Sequence, residues 1–187
     1  MSRADPIEEL IQEHGLILAL LDGLERLAGD LTRAACDVPR WRRALDLLQR
    51  LSCVSHHRKE ELLLFPALER AGLAGGSGPL ASLRREHESE RGALREVDRA
   101  LAAVSAGQVA ARAELQRAAL ELASLVRQHV AMADQVVYPL ARRLVPPAEL
   151  EALGAACRAL DLEQHGPGGW ERMRREVARA CERPAAA

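Results

Sequence analysis

Apolar residues recur along this chain at intervals of three and four positions, the spacing of helices that bury one face. In the first segment the apolar residues of one stripe are Ile7, Leu10, Ile11, Ile17, Leu18 and Leu21. Asp5 and Pro6 stand ahead of this stripe as an N-cap residue and a first-turn proline. The pattern predicts a first helix that starts at Pro6 and ends near Gly29.

Three more long helices follow from the same spacing. They are predicted at about residues 39–66, 79–106 and 109–144. Pro66 marks a candidate break in the second helix, because proline removes a backbone donor and clashes with the preceding turn. The glycine and proline residues at 72–79 predict a loop, which lacks the strand and the lysine of a phosphate-binding loop.

The final segment predicts two shorter helices, at about residues 148–163 and 170–181, separated by a break rich in glycine and proline. We expect them to pack on the outside of the longer helices. The whole pattern therefore predicts an all-α protein, an antiparallel up-down four-helix bundle over residues 1–146 with a C-terminal helical extension over residues 147–187.

The composition agrees with an all-helical protein. Ala, Leu, Glu and Arg are good helix formers and are abundant, whereas aromatic residues make up only 2% of the sequence. The 187 residues suffice for one domain whose core can hold a cofactor. The 26 basic and 27 acidic residues are intermixed and give a net charge of −1, so nucleic acid is not expected as a partner.

The sequence predicts neither a signal peptide nor a membrane span, because no apolar leader follows Met1 and no run of about 18 apolar residues occurs. We therefore expect a soluble, cytoplasmic protein. The four cysteines are far apart and form no Cys-x-x-Cys motif, which predicts reduced thiols. Cys53 is interpreted as a small buried residue of a helix interface, and His165 as an exposed or capping residue.

Histidines interrupt the apolar stripes of all four long helices. They are His14, His56 with its neighbour His57, His87 and His129. In the second helix His56 and Glu60 lie one turn apart, as do His57 and Glu61, so each pair projects an imidazole and a carboxylate from one face. This is the spacing of metal ligands.

The fourth helix repeats the pattern of the second. Aligning the two at Phe65-Pro66 and Tyr138-Pro139 pairs His129 with His56, Ala133 with Glu60, and Asp134 with Glu61. Two helices thus carry related ligand sets, which is stronger evidence for a site than either helix alone.

Four antiparallel helices that each direct a histidine inward, two of them also carrying acids, describe a dinuclear metal site inside a bundle. Imidazole and carboxylate ligands suit iron, with manganese or zinc as alternatives. Two metal ions need bridging carboxylates, which Glu60 and Asp134 can supply. The opposing interpretation is a polar core without metal, which leaves several buried imidazoles in need of partners that the sequence does not otherwise offer.

These residues resemble the hemerythrin-like HHE cation-binding family over roughly residues 5–145. The matching motifs are Glu13-His14, His56-His57-x-Lys59-Glu60-Glu61 followed by Leu64-Phe65-Pro66, Glu86-His87-Glu88, and His129 with Tyr138-Pro139. The resemblance implies a four-helix bundle with an oxo- or hydroxo-bridged di-iron centre. In this family such a centre binds oxygen, responds to oxygen or nitric oxide, reduces peroxide or nitric oxide, or serves iron–sulphur cluster repair.

Carried over position by position, the resemblance implies one ligand set. Its members are His14, His56, Glu60, His87 and His129, with Asp134 as a sixth. The distance to Phe65-Pro66 favours His56 and Glu60, and His57 with Glu61 stays the alternative pair.

The sequence departs from the family at two positions. Ala133 stands where relatives often have Glu, and Arg91 where oxygen-carrying hemerythrins have a further histidine. Asp134 can fill the first gap, since those hemerythrins place an Asp five residues after the fourth-helix histidine. On a regular helix, however, Asp134 points roughly 140° away from His129, so a helix distortion is needed. Arg91 can block the vacant position or place a positive charge beside a bound anion or peroxide.

The leading hypothesis is a non-haem di-iron protein whose open coordination position takes oxygen, nitric oxide or peroxide. A second hypothesis is a peroxide or nitric-oxide reductase, or an iron–sulphur cluster repair factor, that uses Tyr138 or Arg91 near the centre. Core packing is the simpler explanation of Tyr138. A third hypothesis is a regulatory sensor whose C-terminal helices act on a protein partner that the sequence does not identify.

Overall fold

The computed structural model describes residues 5–31 and 36–181, and within these ranges the chain is helical and contains no strand. We name six helices: α1 (Pro6–Asp30), α2 (residues 38–70), α3 (Gly78–Ser105), α4 (residues 111–144), α5 (Pro147–His165) and α6 (Gly169–Cys181). The predicted all-α class is confirmed. Residues 182–187 of the predicted extension lie outside the described residues.

The four long helices pack as consecutive neighbours. Helix α1 contacts α2, α2 contacts α3, α3 contacts α4, and α4 returns to α1. Because the connections at residues 71–77 and 106–110 are short, consecutive helices run antiparallel, as the sequence predicted. Helices α5 and α6 lie across α1 and α2 and contact each other.

The helix ends are set by residues that the sequence identified. Asp5 caps α1, since its Oδ1 accepts a hydrogen bond of 3.0 Å from the backbone amide of Ile7. After α3, Gly107 adopts a positive φ of 86°, which an L side chain rarely tolerates. The helix α4 ends at Leu144, where Val145 is extended ahead of Pro146.

Two apolar layers fill the bundle. One layer includes Ile7, Leu10, Leu64, Phe65, Leu80, Leu83 and Val137, with Leu153 and Cys157 from α5. The other includes Leu20, Leu24, Trp41, Leu48, Leu101, Leu115 and Leu122, with Met173 and Val177 from α6. Between the two layers, α1, α2 and α3 each contribute two or more buried polar residues, and α4 contributes His129. The layers therefore enclose a polar zone in the middle of the bundle.

Three wide π-helical turns interrupt the regular α geometry beside this zone. They are Gln49–His56 and Glu60–Leu64 in α2 and Ala133–Val137 in α4. The second and third stand directly before Phe65-Pro66 and Tyr138-Pro139. A wider turn with bonds five residues back accommodates the proline ring and its missing donor. The predicted break at Pro66 is therefore wrong, because α2 continues through Pro66 to Arg70.

The outer surface is held by arginine–carboxylate pairs between helices. Arg70 meets Glu149 at 2.6 Å, and Arg99 meets Glu114 at 2.6 Å. Such exposed pairs are screened by solvent and contribute little, so the buried layers dominate the stability of the fold. In the part of the chain that the structure describes, no helix combines the length and the apolarity of a membrane crossing.

Candidate metal centre

The polar zone contains side chains that are rarely buried together. Its members are Glu13, His14, Ser52, Ser55, His56, His57, Lys59, Glu60, His87, Glu90 and His129, each at most 3% exposed. Buried charges and imidazoles are costly unless they are paired, hydrogen-bonded or bound to a metal. The contacts among these residues therefore explain how the zone is tolerated.

Glu60 lies at the centre of the zone and is fully buried. Its Oε2 atom lies 3.0, 3.5 and 3.7 Å from the Nε2 atoms of His87, His129 and His56, respectively. Its Oε1 atom accepts a 3.0 Å hydrogen bond from the Tyr138 hydroxyl. Three helices thus direct an imidazole nitrogen or a phenol at one carboxylate.

The same imidazoles are held from outside by a second set of carboxylates. The Nδ1 atoms of His14, His56, His87 and His129 face Asp134 at 2.7 Å, Glu13 at 2.9 Å, Glu61 at 2.6 Å and Glu86 at 3.5 Å. At His14, His56 and His87 the Nδ1–H can donate to its carboxylate, which fixes the tautomer and leaves the Nε2 lone pair for the centre. At His129 the longer contact with Glu86 is an ion-pair distance without a hydrogen bond. This carboxylate–imidazole arrangement is the one that orients histidine ligands around a metal.

The ionisation of the zone is set by competition between burial and neighbouring charge. Burial opposes the charge of Glu60, but His56 and His129 outweigh it and hold the pKa of this carboxyl well below its usual range. Burial also opposes a charge on His129, yet Glu60 and Glu86 raise the pKa of its imidazole to about 10. The pKa of His56 is lowered well below its ordinary value by burial and by His14. Without a metal, these shifts favour a proton on His129 beside the ionised Glu60.

The donor atoms are close enough to hold cations. One ligand-capable group contains His14, His56, Glu60 and His129, and a second contains His57, His87 and His129, with the donor atoms of each group within 4.8 Å of one another. Both ring nitrogens of His129 and Nδ1 of His57 are buried without a hydrogen-bond partner. Buried polar atoms normally have partners, and a metal ion would supply them here. The residues therefore fit a metal.

The structure brings five of the six predicted ligands together. They are His14, His56, Glu60, His87 and His129. Asp134 is the exception: its side chain is 31% exposed and its carboxylate contacts the outer nitrogen of His14. A helix distortion is present at Ala133–Val137, as its predicted role requires. In this geometry Asp134 orients His14, and its role as a bridging ligand stays a prediction.

The two candidate pairs of α2 differ in position. His56 and Glu60 are fully buried in the zone, whereas Glu61 is 31% exposed and contacts the outer nitrogen of His87. His57, however, is buried as well, and its ring stacks on that of His87 with 3.7 Å between centroids. The sequence posed His56 and His57 as alternatives, but both imidazoles lie inside the bundle.

Sequence reasoning missed the residues that hold the imidazoles from outside. Glu13 and Glu86 each directly precede a histidine in the chain. Their carboxylates, however, contact histidines of other helices, Glu13 contacting His56 and Glu86 contacting His129. The available signal for these two carboxylates was their position directly before a histidine that points inward. Glu90, which contacts His57, was missed, and its position three residues after His87 on the same helix was its only signal.

Arg91 and Tyr138 take different positions around the centre. The Arg91 side chain is 29% exposed and turns outward to Glu88 at 2.7 Å and Glu61 at 3.4 Å, so it does not enter the ring of imidazoles. Tyr138 is fully buried and stacks on an imidazole, as core packing requires, but its hydroxyl also donates to Glu60. Tyr138 is therefore both a packing residue and part of the centre.

Cys53 and His165 lie at the margins of the zone. The Cys53 thiol is partly buried and lies 3.9 Å from Glu90; burial and this carboxylate raise its pKa to about 12. All four cysteines are free, and each lies in the described residues. His165 ends α5 and is partly buried, and its backbone carbonyl accepts a hydrogen bond from Arg172.

A buried lysine connects the centre to the C-terminal helices. The Nζ atom of Lys59 contacts Glu13 at 2.5 Å and Asp161 of α5 at 2.6 Å. The ring of Trp170, at the start of α6, lies 5.0 Å from the same ammonium. Burial opposes the lysine charge, but the two acids outweigh it and raise the pKa of Lys59. Since Glu13 also contacts His56, α5 is linked to the centre through three successive polar contacts, Asp161 to Lys59, Lys59 to Glu13 and Glu13 to His56.

The substitution Lys59→Met is expected to lower the free energy of unfolding by about 3–5 kcal/mol, because it leaves Glu13 and Asp161 without their buried counter-charge. The adjacent and exposed Arg58 provides the matched control. Arg58→Met is expected to change the same quantity by less than about 0.5 kcal/mol. Urea unfolding followed by circular dichroism measures both variants, and equal effects would contradict the role given to Lys59.

Comparison with known proteins agrees with this geometry. Residues 5–141 match the family described as the hemerythrin HHE cation binding domain. A search of curated proteins returned no significant match. The matched range covers the four long helices almost completely and includes every imidazole of the centre. The chain therefore belongs to the hemerythrin HHE cation-binding domain family.

Proposed function

We propose that this protein holds two iron ions in a non-haem centre and binds a small ligand there, either oxygen, nitric oxide or peroxide. One observation carries the proposal: imidazoles of α2, α3 and α4 face Glu60, and His14 of α1 has a donor atom within 4.8 Å of it. An outer carboxylate faces each of these four imidazoles. Mixed imidazole and carboxylate donors suit iron, and manganese or zinc are the alternatives.

The buried side chains would have different roles in such a centre. The Nε2 atoms of His14, His56, His87 and His129 would hold the ions, with Glu60 bridging between them. When bound, the irons would supply electron exchange with the small ligand. The Tyr138 hydroxyl donates to Glu60 and so fixes the orientation of this carboxylate.

Burial limits the size of the ligand. The imidazoles and Glu60 are at most 3% exposed, and two apolar layers enclose them. A large substrate cannot reach these atoms without opening the bundle, whereas a diatomic gas or peroxide is small enough to enter through side-chain fluctuations. This restriction favours small-ligand binding over chemistry on a metabolite or a macromolecule.

Binding and turnover share this centre and differ in what happens to added peroxide. A binding protein gives a stable spectral change with stoichiometric peroxide, whereas a reductase consumes excess peroxide when a reductant is present. We place binding first, because Arg91 turns away from the imidazoles and Tyr138 is engaged by Glu60, so neither has a free polar group directed at a ligand.

Anaerobic addition of ferrous iron to the metal-free protein is expected to give about two irons per chain by elemental analysis. Glu13→Gln, which removes an outer partner of a ligand, is expected to weaken iron binding about 10–100-fold. Glu60→Gln, which removes a ligand, is expected to weaken it further. Glu163→Gln, on the exposed face of α5, is the control and should bind as the parent does. Absence of iron from the parent protein would refute the proposed function.

Metal binding is expected to release protons and to strengthen as pH rises. His129, whose pKa is raised to about 10, carries a proton in the metal-free protein at neutral pH, and the metal must displace it. Because metal and proton compete, the apparent affinity should rise up to about tenfold per pH unit for each displaced proton. Competition titration between about pH 6 and pH 8 tests this, and a pH-independent affinity would contradict it.

A regulatory role is the second candidate, and the buried contacts from His56 through Glu13 and Lys59 to Asp161 favour it. In this proposal residues 1–146 hold the metal, and residues 147–187 respond to it and act on a protein partner. A change of charge at His56 would act on Glu13 and through it on the only lysine of the polar zone.

If the extension responds to the centre, amide hydrogen exchange in α5 should differ between oxidised and reduced iron-loaded protein. The substitution Lys59→Met, if folded, should remove this difference, because it cuts the connection between Glu13 and Asp161. Arg58→Met should retain it. Identical exchange of α5 in both oxidation states would exclude the regulatory role.

A further inference from the structure

We propose that His57 is a fifth imidazole ligand and that it holds a second metal position together with His87 and His129. The inference rests on the proposed metal centre and adds to it a residue that the motif-based ligand set leaves out. It also names which of the two histidine nitrogens takes the metal.

The position of His57 places it among the other imidazoles. Its side chain is 1% exposed, and one of its donor atoms lies within 4.8 Å of donor atoms on His87 and His129. The His57 ring stacks on the His87 ring at 3.7 Å and meets the His129 ring edge-on at 5.4 Å. His57 is therefore part of the same buried cluster.

Hydrogen bonding determines which nitrogen of His57 is free. The Ser52 hydroxyl has one proton and donates it to Glu90 at 2.6 Å. The Nε2 atom of His57, 3.1 Å from the Ser52 oxygen and 3.3 Å from Glu90, must therefore be the protonated nitrogen. Its Nδ1 atom then carries the lone pair, and this atom is buried with no hydrogen-bond partner.

This arrangement repeats the one seen at the other imidazoles with the two nitrogens exchanged. There an outer carboxylate faces Nδ1 and leaves Nε2 for the centre, and here Glu90 faces Nε2 and leaves Nδ1. Glu90 is 1% exposed, and the imidazole and the hydroxyl outweigh the effect of its burial and lower its pKa to about 2. A buried acid that is fully ionised is a strong orienting partner for a ligand.

The residue one turn after His87 on α3 does not supply a further metal ligand. One turn after His87 stands Arg91, which turns outward to Glu88 and Glu61. An imidazole that served packing alone would leave the Nδ1 lone pair of His57 unsatisfied, at a cost of about 1–3 kcal/mol. A metal shared with His87 and His129 removes this deficit and also gives a partner to one of the two unpartnered nitrogens of His129, while the other faces Glu86.

A different placement of the metal is the competing outcome. Donor atoms of Cys53, His57 and Glu90 also lie within 4.8 Å of one another, on the outer side of His57. A metal there would need the Cys53 thiolate, whose pKa is raised by burial and by Glu90. The position shared with His87 and His129 is favoured over this one. A metal beside Glu90 would need the Nε2 atom of His57, which is protonated, whereas the nitrogen with the free lone pair is Nδ1.

Titration of the metal-free full-length chain with cobalt(II) under anaerobic conditions tests the inference. Equilibrium dialysis gives the stoichiometry, and visible d–d absorption reports the geometry of each ion. The parent protein is expected to bind two cobalt ions, and His57→Ala one. Cys53→Ala and His165→Ala, which replace residues outside the proposed ligand set, are expected to bind two.

Glu90→Gln keeps the side-chain volume and tests the same position if His57→Ala fails to fold. It is expected to bind the first cobalt ion normally and the second about 10–100-fold more weakly. Two tightly bound ions in His57→Ala, or an unchanged second affinity in Glu90→Gln, would overturn the inference while leaving the metal centre intact. Loss of one ion in Cys53→Ala would overturn it in favour of the outer position. No cobalt in the parent protein would refute both proposals.

Discussion

The fold depends on one constraint, which is that a layer of imidazoles and carboxylates in the middle of the core must be fully partnered. Buried ionisable groups cost several kcal/mol each when they are unpaired. The bundle meets most of this constraint by crossing partners between helices, so that an acid of α1 holds a histidine of α2 and an acid of α4 holds a histidine of α1. The buried nitrogens of His57 and His129 that lack a hydrogen bond are the part that a metal would complete. The apolar layers on either side exclude water and make those contacts strong.

The helix irregularities and the C-terminal helices serve the same layer. Wide turns lie in α2 on both sides of the segment His57–Lys59 and in α4 just after His129, where the rotation of side chains about the helix axis matters most. Helix α5 covers the layer from the side of α1 and α2 and supplies Asp161 to Lys59. The extension is therefore tied to the polar zone by charge as well as by apolar packing.

The sequence predicted the fold well because apolar spacing, caps and prolines act locally. It also predicted which histidines lie inside, since each one interrupts an apolar stripe. It did not predict the cross-helix partners, because a contact such as Asp134 with His14 depends on the rotation of two helices that wide turns alter. For the same reason His56 and His57 looked like alternatives, whereas the wide turns of α2 let both face inward.

Anomalous diffraction from crystals of the iron-loaded protein, recorded at the iron absorption edge, tests the central claim most directly. The account predicts two anomalous peaks about 3.5–4 Å apart, both inside the ring of imidazoles and on either side of the Glu60 carboxylate. An absence of anomalous density among the imidazoles, with their nitrogens still held by carboxylates and protons alone, would contradict it. Such a result would leave a bundle whose polar layer is stabilised by imidazolium–carboxylate pairs and has no metal function.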